Sequence, residues 1–402
     1  MKTDKRTPTG TRDLLFNECR KYKLLTDKLD AFYQSRGYSP VMTPAVEYYD
    51  VFGQAGAYFL QEEMYKLTDL SGKLIVIRPD CTIPIARLVS TRLRNAGLPL
   101  RLFYSQAIYR MDPGRLGGSG EVRQMGVELI GQGDLWADIE CIYLGSRSLA
   151  LCGIGDFRLE IGHIGFFRAL ISSLGADIDA SEQIRELIER KNFPALGDLL
   201  DRFGQNPAAL ALKKLPAMFG DGDSGILTRA RSIFSSPESD KALDELGFII
   251  DKLTELGLGD KVIIDLGLVN QADYYTGTIF RGYVSGAGEH LLSGGRYDQL
   301  IGLYGNDLPA TGFGINMDAL CQSEIGALKP EKPLRSLIFA EGGDVERAIR
   351  YIDSRSVDGG QVTALAFAHS LEEALAEAGA VDYHQLIYLR QDGREEVIPC
   401  GH

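Results

Sequence analysis

Side chains two positions apart in a strand share a face, and that rule sorts the stretch VRQMGVELI, residues 122–130, into chemistry and core. Gln124, Gly126 and Glu128 point one way; Met125, Val127 and Leu129 point the other. One face is then apolar core, and its reverse is a polar floor on which an amide and a carboxylate flank a glycine gap for a ligand to lie against. Arg110, across a glycine-rich connection, has the parity of Gln106 and Ile108, so its guanidinium can stand on the same floor. The same spacing also fits a plainer arrangement, in which Arg110 and Glu128 are a solvated charge pair on an exposed sheet face. In SGGRYD, residues 293–298, Arg296 and Asp298 read as a turn-stabilising ion pair in preference to ligands.

The elements that must position this floor can be followed along the chain. Tyr22, Leu25, Leu29, Phe32 and Tyr33 recur at helical spacing, and the pattern stops at Gly37, a good C-terminal cap. Pro40 and Pro44 exclude helix from YSPVMTPAVEYYDVF and suit an edge strand or extended segment. KLIVIRP, RLFYSQAIYRM and EVRQMGVELIG read as strands, the last two joined by DPGRLGGSG into a long-looped antiparallel hairpin. Gly114, Gly117, Gly118 and Gly120 leave the backbone of that loop weakly constrained. Residues 134–152 read as a helix, FRLEIGHIGF as a strand entering a helix, and about 166–258 as an inserted, nearly all-helical region. Strand signals return in KVIIDLGLV, DYYTGTIFRGYV, GEHLLSGGRYD and ATGFGINMDAL. A linker at 327–333 with two prolines then leads to a small α/β domain over 334–402.

Composition narrows the function classes. The 402 residues, 45% hydrophobic, suffice for two to three packed units. A formal net charge of −12 and a pI near 5.1 argue against a surface built for polyanions. The start lacks an apolar signal segment and no run of about 18 apolar residues occurs, so the expected location is the cytoplasm. Six sparse cysteines without a C-x-x-C pair are expected reduced and mostly buried. His163, His290, His369, His384 and His402 occupy no metal-ligand spacing, so no metal and no cofactor are expected.

The order RPDCT (78–82), YRMD (109–112), VRQMGVE (122–128), helical insert, DYYTGTIF (273–280), SGGRYD (293–298) and TGFGINMDAL (311–320) resembles histidyl-tRNA synthetase. GTRDLL near the start, and SPVMTP where such enzymes carry their first class II motif, extend the resemblance over about residues 8–325. It implies an α+β fold: a class II aminoacyl-tRNA synthetase-like domain over 1–326, with a mainly antiparallel sheet flanked by helices and self-association through the first motif. In that family an acid and a threonine hold the histidine ammonium, which here match Asp80 and Thr82. Gln124 would help hold the amino group, and Glu128 with Tyr275 the imidazole. An imidazole offers an N–H to a carboxylate and a second nitrogen to a phenol, so the choice is chemically sound. Tyr274, of opposite parity to Tyr275, is expected to pack underneath. The histidine-binding set implied is Asp80, Thr82, Arg110, Gln124, Glu128, Tyr274 and Tyr275.

Parts of the synthetase pattern are missing. The arginine before the tyrosine pair is Asn270, the arginine ending the third motif is Ala319, and the acid after Arg110 is shortened to Asp112. Adenylate formation develops phosphate charge, and losing one fixed donor from such a site costs about 10²–10³ in rate. Residues 331–402 carry seven Lys plus Arg against thirteen Asp plus Glu, a net of −6 and a poor surface for tRNA. This erosion is similar to that of the ATP phosphoribosyltransferase regulatory subunit family. That resemblance implies no catalytic residue in this chain and a hetero-oligomer with a short-form catalytic subunit. It further implies a requirement in the first step of histidine biosynthesis and feedback regulation by histidine, with neither nucleic acid nor membrane as partner. Two rivals are an active histidyl-tRNA synthetase and a synthetase paralogue that senses tRNA or modifies another protein.

Overall fold

Leu25, Leu29 and Tyr33 lie on one stripe of α1 (Phe16–Ser35) and are fully buried. The helix ends where Gly37 takes φ +81°, a left-handed conformation that costs glycine nothing, and its N–H closes on the Gln34 carbonyl. The computed structural model describes residues 5–54, 63–111, 120–222, 224–269, 274–284, 290–322, 333–355 and 361–400. The chain divides into two compact units, Met1–Leu328 and Lys329–His402.

In the first unit β1 (Ser39–Pro40), β2 (Val46–Tyr48), α2 (Tyr49–Gln54), β3 (Lys66–Thr68), β4 (Leu74–Ile77) and α3 (Thr82–Thr91) precede the long hairpin β5 (Leu100–Tyr109) and β6 (Glu121–Ile130). The prolines do keep the chain extended up to Tyr48, but the stretch expected to be free of helix turns helical at Tyr49. Next come α4 (Leu135–Leu151), β7 (Phe157–His163) and α5 (Ile164–Leu174), followed by α6 (Ile178–Glu189), α7 (Phe193–Leu200) and α8 (Pro207–Lys214). A short strand β8 (Phe219–Asp221) interrupts the helices before α9 (Ile226–Ile233) and α10 (Pro237–Glu255). The side chains of Asp177, Asn192, Asn206 and Ser236 accept from backbone N–H groups and so start α6, α7, α8 and α10. Finally β9 (Val262–Asp265), β10 (Thr278–Val284), β11 (Leu292–Arg296) and β12 (Ala310–Asn316) lead into α11 (Met317–Gln322).

Nine strands form one sheet in the order β1-β5-β6-β12-β11-β10-β7-β9-β8, with only the β1–β5 and β7–β9 pairs parallel. Its apolar face carries Phe103, Val127, Phe313 and Phe280 in one cross-strand row, with Gly294 between the last two, and all four side chains are buried. Tyr33 of α1 packs on this row, 5.7 Å from Phe103 and 6.3 Å from Phe313 between ring centroids, and its hydroxyl meets Ser148 of α4 at 3.0 Å. β2, β4 and β3 make a separate three-stranded antiparallel sheet. Among the described residues no helix is long and apolar enough to cross a membrane. Of the six free cysteines, Cys81, Cys141, Cys152 and Cys321 are buried.

In the second unit β13 (Leu334–Ala340), α12 (Val345–Ser354), β14 (Gln361–Leu365), α13 (Leu371–Ala380) and β15 (Gln385–Leu389) are followed by β16 (Glu395–Pro399), a strand the sequence reading lacks. The sheet order is β14-β13-β15-β16, with the first three strands parallel. Alternation explains its two layers: Leu337, Phe339 and Leu386 share a core with Ala374 and Ala378 of α13, while Ile338, Ala340 and Ile387 share one with Ala348 of α12. Except for Pro333, the expected linker lies outside the described residues.

Candidate functional site

The sheet face opposite the aromatic core is a floor in which glycines alternate with polar side chains. β6 pairs Glu128 with Gly312 of β12, and Gly312 pairs in turn with Gly295 of β11. One register along, Gly126 pairs with Tyr104 of β5 and with Gly314 of β12. The parity read from residues 122–130 is the one observed, since Met125, Val127 and Leu129 are all buried in the core.

Glu128 is the centre of this floor, and at 1% exposure it is not solvated. Thr82, the first residue of α3, donates from its hydroxyl to Glu128 Oε1 at 2.8 Å, and the Tyr297 hydroxyl donates to Oε2. Gly312 must lack a side chain, because a Cβ there would stand 2.0 Å from Glu128 Oε2 and 2.4 Å from the Val127 carbonyl. Burial pushes the Glu128 carboxyl up to about 8, with the hydrogen bonds from Tyr297 and Thr82 pulling the other way.

Asp80 and Arg110 form a second pair beside it. Asp80 Oδ1 accepts from the Ile83 N–H at 2.8 Å, so the acid caps the start of α3, and its Oδ2 lies 4.0 Å from Arg110 Nη2. Arg110 Nε donates to the Pro79 carbonyl at 2.7 Å. Burial raises the Asp80 carboxyl, opposed by Arg110 and by the backbone N–H groups of Ile83 and Thr82. The expectation that Arg110 shares a strand face with Glu128 is therefore corrected. Arg110 lies one residue beyond the end of β5 and turns to the loop that starts α3, and Glu128 is no surface charge.

Gln124 accepts from the Tyr104 hydroxyl at 3.2 Å, and its amide lies where a side chain at Gly314 would be, 2.5 Å from that Cβ position. The gap expected at Gly126 is filled. A Cβ there would meet the Phe313 carbonyl at 2.1 Å and the Tyr104 hydroxyl at 2.7 Å, so the glycine makes room for protein and not for ligand.

Tyr274 and Tyr275 precede β10 instead of opening it, so strand parity does not separate them. Both are buried with ring centroids 4.8 Å apart, and Tyr274 also packs edge-on against Tyr297 at 5.9 Å. Tyr275 lies over Gly295, where a Cβ would be 2.8 Å from its ring. Burial raises the Tyr275 phenol, and a hydrogen bond with Tyr274 restrains it. The Tyr274 phenol is raised by burial and by the negative fields of Asp80, Tyr275 and Glu128, so these expected residues share one buried neighbourhood. Asn270, Asp112 and loop residues Gly114, Gly117 and Gly118 lie outside the described residues.

Arg296 is structural. It donates from Nε to Asp138 of α4 at 2.9 Å, reaches the Gln132 and Asp134 carbonyls at 3.3 and 3.0 Å, and pairs with Asp298 at 3.1 Å. Sequence reasoning took in the pair with Asp298 but not the buried partner Asp138, and it passed over Tyr297 between them. The available signal was that Tyr297 shares the parity of Gly295. Ala319 lies in the first turns of α11, its N–H bonded to Asn316 Oδ1 at 3.0 Å. Among the described residues no group of three His, Cys, Asp or Glu side chains is placed to hold a metal ion.

Floor, acid, hydroxyls and tyrosines together can bind a small polar ring, with Arg110 beside Asp80 and Arg281 of β10, which shares the floor's face through the Ser293–Gly314 register, as the cations nearest to it among the described residues. The histidyl-tRNA synthetase family model matches residues 10–320. An ATP phosphoribosyltransferase regulatory subunit from Clostridium kluyveri is 41% identical over 320 residues, covering 79% of this chain and 81% of that protein. Its namesake from Clostridium acetobutylicum is 36% identical over 358 residues, covering 88% and 87%. A crystal structure from Bacillus halodurans, described as an ATP phosphoribosyltransferase regulatory subunit/histidyl-tRNA synthetase, superposes with TM-score 0.84 at 29% identity, covering 97% of this chain and 99% of that one. A histidyl-tRNA synthetase from a Nostoc species shares the fold at TM-score 0.77 and 20% identity, covering 99% and 97%. The synthetase fold, the polar floor and relatives this similar along most of their length lead to one conclusion: the chain belongs to the ATP phosphoribosyltransferase regulatory subunit family.

Proposed function

We propose that this chain is the non-catalytic regulatory subunit of an ATP phosphoribosyltransferase. It assembles with a short-form catalytic subunit and is required when that subunit joins ATP to phosphoribosyl pyrophosphate, releasing pyrophosphate, in the first step of histidine biosynthesis. It also conveys feedback inhibition by histidine, held by Asp80, Thr82, Arg110, Gln124, Glu128, Tyr274 and Tyr275. Histidine needs only to bind one quaternary arrangement better than another for this coupling to arise.

What supports the reading is a polar floor kept beside a third-motif position that holds alanine. Glu128 with its two hydroxyl donors is intact, whereas α11 presents Ala319 where the third class II motif ends in arginine. An alanine supplies no donor to the charge that develops on a leaving pyrophosphate. The same floor would serve an active histidyl-tRNA synthetase, the second reading, so the test must separate the two. The full chain is mixed with a short-form catalytic subunit and phosphoribosyl transfer is followed, then the chain alone is incubated with histidine, ATP and labelled pyrophosphate. Transfer that depends on this chain and falls with added histidine supports the proposal. Rapid pyrophosphate exchange by the chain alone overturns it in favour of the synthetase.

Self-association through the first-motif region has a physical basis in the small sheet. Tyr48 and Leu67 flank Ile75 in one register and are 50% and 47% exposed, and Val46 adds to the same apolar face. A neighbouring cavity of about 430 Å³ is lined by Tyr48, Asp50, Val51, Lys73, Leu74 and Tyr304. Apolar exposure of this kind favours burial against a partner.

A further inference from the structure

Arg281 of β10 stands on the sheet face that carries Gln124 and Glu128. It pairs with Ser293 of β11, Ser293 pairs with Gly314 of β12, and Gly314 pairs with Gly126 of β6. Its neighbours in the chain face the core instead: Phe280 is fully buried, and a carbon added to Gly282 would meet Leu149 and Leu292 at 3.2 Å. The charged groups around Arg281 are Glu160, its partner across β7, Asp265 at the end of β9, and Lys191 after α6. Burial raises both carboxyls, and Lys191 and Arg281 oppose that through their charge. Arg281 also stands beside the Tyr283 phenol, which burial raises and the guanidinium holds back. Its charge acts as well on Tyr275, whose phenol burial raises, so the guanidinium and the tyrosine over Gly295 share one neighbourhood. Yet Arg281 Nε is buried and has no hydrogen-bond partner among the described residues. A buried donor without an acceptor is costly, and the N–H fork of a guanidinium matches the two oxygens of a carboxylate.

The registers leave a place between these groups. Tyr275 covers Gly295 and the Gln124 amide covers Gly314, whereas Ser293, between Gly314 and Arg281, is short and partly exposed. With strands about 4.8 Å apart, the Gln124 amide over β12 and Arg281 on β10 are separated by about 10 Å. That is close to what an α-amino group and an α-carboxylate span with a hydrogen bond at each end. We propose that Arg281 holds the α-carboxylate of the ligand over Ser293, with Gln124 at the amino group, and so selects a free amino acid against the same ring bearing an alcohol or an amide. This rests on the histidine-binding reading above and supplies a cation that the sequence lacks at position 270, where it carries asparagine. Arg110, the other cation beside the floor, lies beyond the end of β5 and is engaged by Asp80 and the Pro79 carbonyl.

The test is calorimetry on the full chain, alone and with its catalytic subunit, titrated with histidine and with histidinol, in which a primary alcohol replaces the carboxylate. The parent is expected to bind histidine more tightly than histidinol by about tenfold to a hundredfold, the range that a hydrogen bond to a charged group supports. Arg281→Gln is expected to lose that factor for histidine and to bind the two ligands alike, whereas Arg110→Gln is expected to keep the preference. Equal affinities in the parent overturn the carboxylate anchor and leave the histidine reading in place. A preference that survives Arg281→Gln, or that Arg110→Gln alone abolishes, does the same. No binding of histidine in either preparation overturns both. A further measurement needs no variant: histidinamide keeps the planar group and removes its charge. The parent is expected to bind it about as weakly as histidinol, and an affinity equal to that for histidine overturns the proposal.

Discussion

The Tyr297 hydroxyl donates to Glu128 Oε2, tying the turn after β11 to the middle of β6 across the whole width of β12. The bond exists because the strand between them carries Gly312 at that register, paired to Glu128 on one side and to Gly295 on the other. Any side chain at 312 would stand where the two polar groups meet.

Gly312→Ala is therefore expected to destabilise the protein by about 1–3 kcal/mol, the usual cost of forcing extra volume into a packed site. One of the two atoms its Cβ would strike is the Val127 backbone carbonyl at 2.4 Å, which cannot swing aside. Gly155→Ala is the control, with nothing within 4 Å of the added carbon, and its change is expected within about 0.5 kcal/mol. Urea denaturation of the two variants checks the contrast.

Tyr297→Phe keeps the ring that packs against Tyr274 and removes the hydroxyl from Glu128. Leaving a buried acceptor without its donor costs about 1–3 kcal/mol. It also raises the Glu128 carboxyl further, because the lost bond favours the charged form. The expected outcome is a lower denaturation midpoint together with a Glu128 titration, followed by side-chain carboxyl NMR, displaced upward from the parent.

The stability of the parent should fall as pH rises through the neutral range. Glu128 has a folded value of about 8 above its ordinary 4.5, so between the two the folded state binds the extra proton. Its contribution to stability is unimpaired below about pH 4.5, declines up to about pH 8 and is fully unfavourable above that. The change amounts to at most about 5 kcal/mol if Glu128 titrates alone. Burial raises Asp80 and Asp138 too, which adds to the slope with the same sign. Chemical denaturation at several pH values is expected to give Glu128→Gln a flatter profile than the parent, and identical slopes would refute the assignment.

Breaking the Arg296–Asp138 pair by Asp138→Ala leaves a buried guanidinium facing only carbonyls and Asp298, at an expected cost of about 3–5 kcal/mol. Arg296→Lys keeps the charge but loses the forked reach to Gln132, Asp134 and Asp138 together, so a substantial part of that loss is expected to remain. Thermal melts of both variants measure it.

Tyr48→Asp together with Leu67→Asp places two charges on the exposed register of the small sheet. If that face joins two copies, sedimentation will show the double variant as monomer at concentrations where the parent is larger, with its far-ultraviolet circular dichroism unchanged. A parent that is itself monomeric would remove the self-association reading.

Local rules made a good part of this protein legible. Period-two alternation in residues 122–130 separated Gln124 and Glu128 from Met125, Val127 and Leu129, because a strand's pleat is set by its own backbone. The stripe of Leu25, Leu29 and Tyr33 and the stop at Gly37 defined α1 for the same kind of reason. Motif order carried the fold as well, since the residue types that line this floor recur in the same sequence along the chain.

What lies over the floor was decided by distant segments. Arg110 left Glu128 for Asp80 because β5 ends at Tyr109 and parity stops with the strand. Thr82 turned to Glu128 because Asp80 caps α3 and aims the first residue of that helix at β6. The gap at Gly126 closed because Tyr104 fills it, and Tyr297 arrived from a turn 169 residues away along the chain. Sequence by itself determined which side chains share a face; only the tertiary structure decided that this face is buried, and with it that the Glu128 carboxyl is raised, because desolvation depends on every element packed around a group and not on its neighbours in the chain.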